Sequence, residues 1–234
     1  MSAQRLHPFA LVDDLDTLEV SRELGHHLGV VRRLRVGAEL FVGDGAGSFR
    51  AVKVDAVQPR VHLVPLSDIQ TPQRQTPSLG IAMFLPSNER LSWAVQKLTE
   101  VGIDRIHLLS DSGDRRGGVQ ISDAGLDRLD RIAREASQQS ERLWLPDITP
   151  PMEAQEFFGD TSAGVAILDP DGGPLPTGIT TLVVGPESGV VISPESIPRV
   201  SLGLPILRIE TAAVAGAVVL AALRASLICI CDNS

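Results

Sequence analysis

From residue 79 onward, short apolar runs alternate with amphipathic stretches, and this alternation limits the fold more than any other feature. The apolar runs predict strands at 79–85, 106–109, 164–168, 180–184 and 200–204. Helices are predicted from a cap at Asn88 to Gly102, from a cap at Ser122 to Arg142, and over 210–225. Such alternation predicts an α/β fold with a mostly parallel sheet, in which ligands bind beyond the carboxyl ends of the strands. The loops that begin at Asp169, Gly185 and Pro205 are therefore expected to form the functional edge.

The residues before this region predict a separate, β-rich domain. Strand-like runs occur at 39–42, 48–54 and 60–66. The first two flank the glycine-rich connector 43–47, which suits a hairpin. The polar stretch 68–77 has no apolar period and is typical of a linker. We therefore predict two domains, 1–72 and 73–234.

Composition favours a globular protein of the cytoplasm. Hydrophobic residues make up 43% of the 234 and charged residues 21%, which is ordinary for a folded domain in water. The uncharged run 211–223 is shorter than the roughly 18 residues that span a bilayer, and the N-terminus lacks a secretory apolar stretch. Cys229 and Cys231 are too few for a zinc site and poorly spaced for a disulfide. We expect no membrane segment and no metal.

The charge of the chain is unusual for a protein that binds nucleic acid. The net charge is −8, whereas phosphate contacts normally require basic side chains. Residues 1–75, however, hold nine basic and nine acidic side chains, so the excess acid lies in the rest of the chain. Basic residues cluster at 32–35 and at Arg115-Arg116. Each cluster is either a nucleic-acid contact or a solvated surface.

Two segments near the C-terminus combine a strand with residues suited to a ligand site. The strand 180–184 runs into Gly185-Pro186-Glu187-Ser188-Gly189, where glycines allow a ligand to approach the backbone, although glycine and proline also make ordinary turns. The strand 200–204 leads to Arg208 and Glu210 at the mouth of an apolar helix. Helix capping or ion pairing would explain these charges equally well. Each segment by itself is therefore ambiguous.

Together, the two segments resemble the SPOUT methyltransferases and, within them, the RsmE family, which methylates N3 of a uridine in bacterial 16S ribosomal RNA. The shared pattern is a GPEGG-like turn, here 185–189, followed by LGxxILRxETA, here 202–212. Residues 93–102 resemble the family's xxQKxxELG, residues 134–146 its AxEQxGRxxxP, and residues 27–37 its HxxxVxRxxxG. The resemblance covers almost the whole chain.

The resemblance implies a SPOUT-type α/β domain with a C-terminal deep trefoil knot, preceded by a small PUA-like β-barrel that binds RNA. It also implies S-adenosyl-L-methionine as cofactor, 16S ribosomal RNA or the small ribosomal subunit as partner, and a homodimer. Arg33 and Arg116 would contact RNA, and Arg208 and Glu210 would be catalytic. The cofactor would be held by Leu168, Gly185, Pro186, Glu187, Gly189, Leu202, Gly203, Ile206 and Leu207.

Methylation of N3 requires the uracil to lose a proton, because the imide nitrogen is mostly protonated at neutral pH. A base or a cation that stabilises the anion must therefore be present. Glu210 or Glu187 is the expected proton acceptor, and Arg208 is expected to stabilise the anion or to orient a phosphate.

Some positions depart from the family pattern. Ser188 replaces the second glycine of GPEGG, Pro205 stands where arginine is common, and Glu141 replaces the glycine of EQxGR. Ser87 and Gln120 occupy positions that are often basic. The alternative function is therefore a non-catalytic RNA-binding ribosome-assembly protein on the same fold. A dinucleotide-dependent enzyme is disfavoured, since no GxGxxG follows the first strand of an α/β unit.

Overall fold

The computed structural model describes residues 8–110, 121–160, 163–186, 189–190 and 194–230. The chain divides into two compact units. The N-terminal unit contains the chain up to Arg74 together with Ser137–Leu145, and the C-terminal unit contains Gln75–Ala136 and the chain from Pro146 onward. The two contiguous domains predicted from the sequence did not include this return of the chain to the first unit.

The described part of the N-terminal unit contains a four-stranded sheet in the order β1-β2-β3-β4. Its strands are β1 (Phe9–Leu11), β2 (Glu39–Gly43), β3 (Phe49–Ala56) and β4 (His62–Pro65). β1 is parallel to β2, and the other pairs are antiparallel. Helix α1 (Arg22–His26) continues into a π-helical turn, His27–Val31. The predicted hairpin is confirmed, whereas β1 and α1 are too short to produce a recognisable period.

The returning segment pairs with the connector of that hairpin. The backbone N–H of Gly47 donates to the carbonyl of Leu143 at 3.1 Å, and that of Leu145 donates to the carbonyl of Gly45 at 2.8 Å. The side chain of Gln138 accepts a hydrogen bond from the backbone N–H of Leu11 at 3.1 Å. The glycine-rich connector is therefore a binding edge for a distant part of the chain as well as a turn.

The described part of the C-terminal unit forms a six-stranded sheet in the order β10-β8-β9-β5-β6-β7. Its strands are β5 (Gly80–Phe84), β6 (Arg105–Ser110), β7 (Asp147–Glu153), β8 (Val165–Gly173), β9 (Thr181–Val184) and β10 (Arg199–Val200). Every neighbouring pair among them is parallel. The central strands β5 and β9 are fully buried, as expected for a parallel sheet covered on both faces. The predicted α/β fold with a parallel sheet is confirmed.

The described part of this unit contains the helices α2 (Asn88–Val101), α4 (Ala154–Asp160), α5 (Ile209–Arg224) and most of α3 (Asp123–Gln139), whose last three residues belong to the N-terminal unit. The apolar stripe predicted for α2 is buried, with Leu91, Ala94, Val95 and Leu98 at most 1% exposed. Gly102 ends α2 in the left-handed conformation with φ of 99°. Within the described ranges, no helix is long and apolar enough to cross a membrane.

Four boundaries differ from the prediction. The strand predicted at 164–168 continues as β8 to Gly173, so Asp169 lies within a strand and does not begin a loop. The N-cap of α2 is Ser87, so Asn88 is already helical. The helix that follows Ser122 ends at Gln139, short of the predicted Arg142, and Ser122 does cap it by accepting a hydrogen bond from the N–H of Gly125 at 3.3 Å. The strand expected at 200–204 stops at Val200, since the residues after it turn away to line a cavity.

Candidate active site

A cavity of about 120 Å³ lies at the carboxyl edge of β8, β9 and β10. Three segments build its wall: the later part of β8, the turn after β9, and the chain between β10 and α5. The lining residues are Leu168, Asp169, Pro170, Val184, Gly185, Pro186, Gly189, Val200, Ser201, Leu202, Leu204, Pro205, Ile206, Leu207 and Ala212. The three segments predicted to form the functional edge therefore meet at one site, although the one that begins at Asp169 is part of β8 and not a loop.

The turn after β9 brings its backbone to the cavity wall. The N–H of Gly189 donates to the carbonyl of Pro186 at 2.8 Å, and Gly189 has a φ of 82°, which favours glycine. A Cβ atom on Gly185 would lie 2.5 Å from the Cγ2 atom of Val190, closer than packed atoms come. Both glycines are therefore required by the local geometry, and the turn presents its backbone to a ligand.

Most residues predicted to bind a cofactor meet at this cavity. Seven of them line it: Leu168, Gly185, Pro186, Gly189, Leu202, Ile206 and Leu207. Gly203 lies between two lining residues, with a φ of 66°, but does not itself line the cavity. Glu187 and the departing residue Ser188 lie outside the described residues. Pro205, the other departure in this region, lines the wall.

Asp169 was not among the predicted site residues, although among the described residues that line the cavity it is the charged one. The backbone N–H of Asp171 donates to its Oδ1 atom at 3.0 Å, and Nη1 of Arg199 donates to its Oδ2 atom at 2.8 Å. These two hydrogen bonds hold the pKa of Asp169 below its usual value. The available signal was an acidic residue directly after the apolar run 164–168.

Arg199 also connects the walls of the cavity to each other. Its Nη2 atom donates to the carbonyl of Val190 at 2.8 Å, while its Nη1 atom holds Asp169. The guanidinium therefore ties the segment after β9 to β8. Because a guanidinium donates through a rigid planar fork, this contact fixes the Asp169 carboxylate relative to that segment.

Arg208 and Glu210 lie beside the cavity and do not line it, whereas Leu207 and Ala212 on either side of them do. Arg208 is the N-cap of α5 and its side chain is exposed. Glu210 is buried in the first turn of α5, with only 8% of the residue exposed. Its Oε1 atom lies 3.6 Å from the Nε atom of Arg90, a residue that the sequence analysis did not single out.

The two arginines predicted to bind RNA have different outcomes. Arg33 is exposed in the N-terminal unit and has a φ of 53°, in the left-handed region that few non-glycine residues adopt. Arg116 lies outside the described residues. Among the residues that are described, no group of three His, Cys, Asp or Glu side chains could hold a metal ion.

The fold and the cavity define a class of protein. A parallel sheet whose loops enclose an apolar cavity at the carboxyl edge is the arrangement of an α/β protein that binds a small organic molecule. Comparison with known proteins makes this class more specific: the model of the RNA methyltransferase domain family matches residues 73–221. The chain therefore belongs to the RNA methyltransferases.

Within them, the chain belongs to the family of ribosomal RNA small subunit methyltransferase E, as the C-terminal motifs predicted. The member from Mycobacterium tuberculosis is 30% identical over 218 residues, which cover 83% of this chain and 82% of that protein.

Solved structures share the fold. A probable rRNA methyltransferase from Porphyromonas gingivalis has a TM-score of 0.78 at 23% identity and covers 94% of this chain and 100% of its own. The ribosomal RNA small subunit methyltransferase E from Neisseria gonorrhoeae, bound to S-adenosyl methionine, has a TM-score of 0.75 at 22% identity. The match covers 93% of this chain and 98% of that one.

Proposed function

We propose that this protein transfers a methyl group from S-adenosyl-L-methionine to N3 of a uridine in 16S ribosomal RNA. The cavity at the carboxyl edge of the sheet carries this proposal, because the two family motifs of the C-terminus meet there. Membership of the ribosomal RNA small subunit methyltransferase E family supports the small-subunit RNA as substrate. The family relative from Neisseria gonorrhoeae is bound to the same cofactor.

The chemistry of the cavity suits this cofactor. Apolar side chains and backbone make up most of the wall, which fits an adenine ring and aliphatic carbons. The carboxylate of Asp169 suits the positive charge of the ligand. When bound, S-adenosylmethionine would supply an electrophilic methyl carbon to the electron pair of N3, and the electron pair of the carbon–sulfur bond would leave with S-adenosylhomocysteine. We propose that the nine predicted residues, including Glu187 and Gly203, hold it.

Glu210 is the proposed acceptor of the N3 proton. Its Oε2 atom is buried and accepts no hydrogen bond within the described part of the chain. A buried carboxylate oxygen without a donor is unfavourable, and the N3–H group of a uracil would supply that donor. Glu187 is the alternative acceptor. The exposed guanidinium of Arg208 would stabilise the uracil anion or orient a phosphate.

The resemblance adds architectural proposals that fit this function. We propose that the C-terminal unit contains a deep trefoil knot, that the N-terminal unit is a PUA-like barrel binding RNA with Arg33 and Arg116, and that the protein is cytoplasmic. A homodimer is proposed as well. Large apolar side chains are exposed in the C-terminal unit, among them Ile206 at 77% and Leu227 at 78%, and such side chains favour burial against a partner.

Mass spectrometry of 16S ribosomal RNA nucleosides tests the function. Cells that lack the gene should lose 3-methyluridine, and the wild-type gene should restore it. Unchanged 3-methyluridine after deletion would refute the proposal. Calorimetry with S-adenosylmethionine separates the enzyme from a non-catalytic RNA-binding protein, since the latter would show no binding even at millimolar cofactor.

A further inference from the structure

Arg90 occupies a position that helix stability does not explain. It lies in the first turn of α2, where the positive end of the helix dipole disfavours a cation. Its Nε atom lies 3.6 Å from the Oε1 atom of Glu210 in the first turn of α5. The side chain of Arg90 is 42% exposed, whereas that of Glu210 is 11% exposed. A half-exposed cation therefore faces a buried carboxylate beside the cavity.

The two oxygens of this carboxylate have different surroundings. Oε1 faces the guanidinium of Arg90, while Oε2 is buried and lacks a hydrogen-bond donor among the described residues. A carboxylate held through one oxygen has a restricted orientation, because rotation about its terminal bond would break the contact with the cation. Glu210 thus has a cation beside its Oε1 atom, while its Oε2 atom is a hydrogen-bond acceptor without a donor among the described residues.

The pair is not needed to hold α2 against α5. Buried apolar side chains already cover the facing surfaces of the two helices, including Leu91, Val95, Ala213 and Ala217. The Arg90–Glu210 contact is long, at 3.6 Å, and adds little to this packing itself, although loss of Arg90 would leave the buried Glu210 carboxylate without this cation and lower the Tm. At the other end of α5, Arg224 makes its own buried contact with Asp104. The packing of α2 against α5 therefore does not account for Arg90.

We propose that Arg90 is a positioning residue for methylation, which orients the Glu210 carboxylate so that its Oε2 atom accepts the proton of the uracil imide. The N–H electron pair stays on N3 and the proton passes to Oε2. This role rests on the proposed function, in which Glu210 is the proton acceptor. Arginine suits the role because its planar guanidinium defines the direction of a carboxylate, which the point charge of lysine does not.

Steady-state kinetics of the full chain with small ribosomal subunits that lack the modification test the role. We expect Arg90→Met to lower kcat at least 20-fold, while KM for RNA and the calorimetric Kd for S-adenosylmethionine change less than threefold. Arg90→Lys should lose three- to tenfold in kcat, with KM and Kd unchanged. The matched control is Arg131→Met, since Arg131 is an exposed arginine of α3 in the same unit. The Tm of each variant is measured by thermal unfolding, and the assays are run at a temperature below it.

Two results would overturn the role of Arg90. One is a kcat of R90M within twofold of that of the Arg131→Met control. Even if the Tm of R90M were lowered, the ion pair with Glu210 would then contribute to stability and not to catalysis. The other is a raised KM for RNA at unchanged kcat, because Arg90 would then bind RNA directly. If R90M does not remain folded, the kcat and KM of R90K are compared with those of the control in the same way. A wild-type protein that forms no 3-methyluridine refutes the proposed function itself, whereas active wild type with unaffected R90M refutes only this inference.

Discussion

Arg224, at the end of α5, donates from Nη1 to the Oδ2 atom of Asp104 at 2.6 Å, and from Nη2 to the carbonyl of Gly102 at 3.0 Å. Both side chains are at most 10% exposed. The same Oδ2 atom accepts a hydrogen bond from the N–H of Leu79 at 2.9 Å. One carboxylate therefore joins the last helix to the turn after α2 and to the residue before β5.

Replacement of Arg224 by alanine is expected to lower the free energy of unfolding by about 3–5 kcal/mol, because it leaves a buried carboxylate without its cation. Urea denaturation followed by circular dichroism measures the change. Arg131→Ala, on the exposed face of α3, should change the same quantity by less than about 0.5 kcal/mol. Equal stability of the two variants would show that the buried pair contributes nothing to stability.

Arg199 is expected to control cofactor affinity through the placement of Asp169 in the cavity wall. Arg199→Met removes the hydrogen bonds to Asp169 and to the carbonyl of Val190, so the Asp169 carboxylate is no longer fixed. We predict a Kd for S-adenosylmethionine raised by about tenfold, equivalent to about 1.4 kcal/mol. Calorimetry measures it, with Arg131→Met as the control. An unchanged Kd would place the cofactor away from Asp169.

Arg208 is exposed, and its side chain does not cap α5, so its loss should hardly affect folding. We expect Arg208→Ala to reduce methylation at least 100-fold, as expected when a group that stabilises developing charge is removed. The unfolding midpoint and the Kd for S-adenosylmethionine should stay near the wild-type values. Full activity of the variant would remove Arg208 from the mechanism.

His107 is predicted to make the C-terminal unit less stable in mild acid. Burial lowers the pKa of its imidazole, with a further lowering by the charge of Arg105 and an opposing effect of Asp147. The folded protein therefore binds this proton less readily than the unfolded chain does. The free energy of unfolding should fall as the pH drops below 6.5, the unperturbed value.

Chemical denaturation at pH 7.5 and at pH 5.5 measures this dependence. His107→Gln, which does not titrate, should show a smaller difference between the two pH values than the wild type. The ring of His107 lies 5.2 Å from that of Phe157, so the variant is expected to be less stable at both pH values. An identical pH dependence in the variant would assign the acid sensitivity to other groups.

The strand and helix pattern predicted most of the C-terminal unit because its period is local. The strands β5, β6 and β9 and the helix α5 lie close to their predicted positions, whereas β8 runs five residues beyond the predicted end at Leu168. β7 was missed because Asp147–Glu153 contains two consecutive prolines and no apolar run, which an edge strand tolerates. The early end of β10 was also missed, since nothing in the apolar run 200–204 shows that its residues turn towards a cavity.

The sequence by itself determined the family and the segments that line the cavity, because a strand followed by a glycine turn is encoded by neighbouring residues. Tertiary structure alone decided which side chains meet: Arg199 with Asp169, and Arg90 with Glu210. The reason is physical. Parallel strands can follow one another along the chain in many spatial orders, and only the order β10-β8-β9-β5 brings these distant residues to one edge of the sheet. The two C-terminal motifs thus located the site, while the packing of the sheet and its helices supplied the partners of its charged groups.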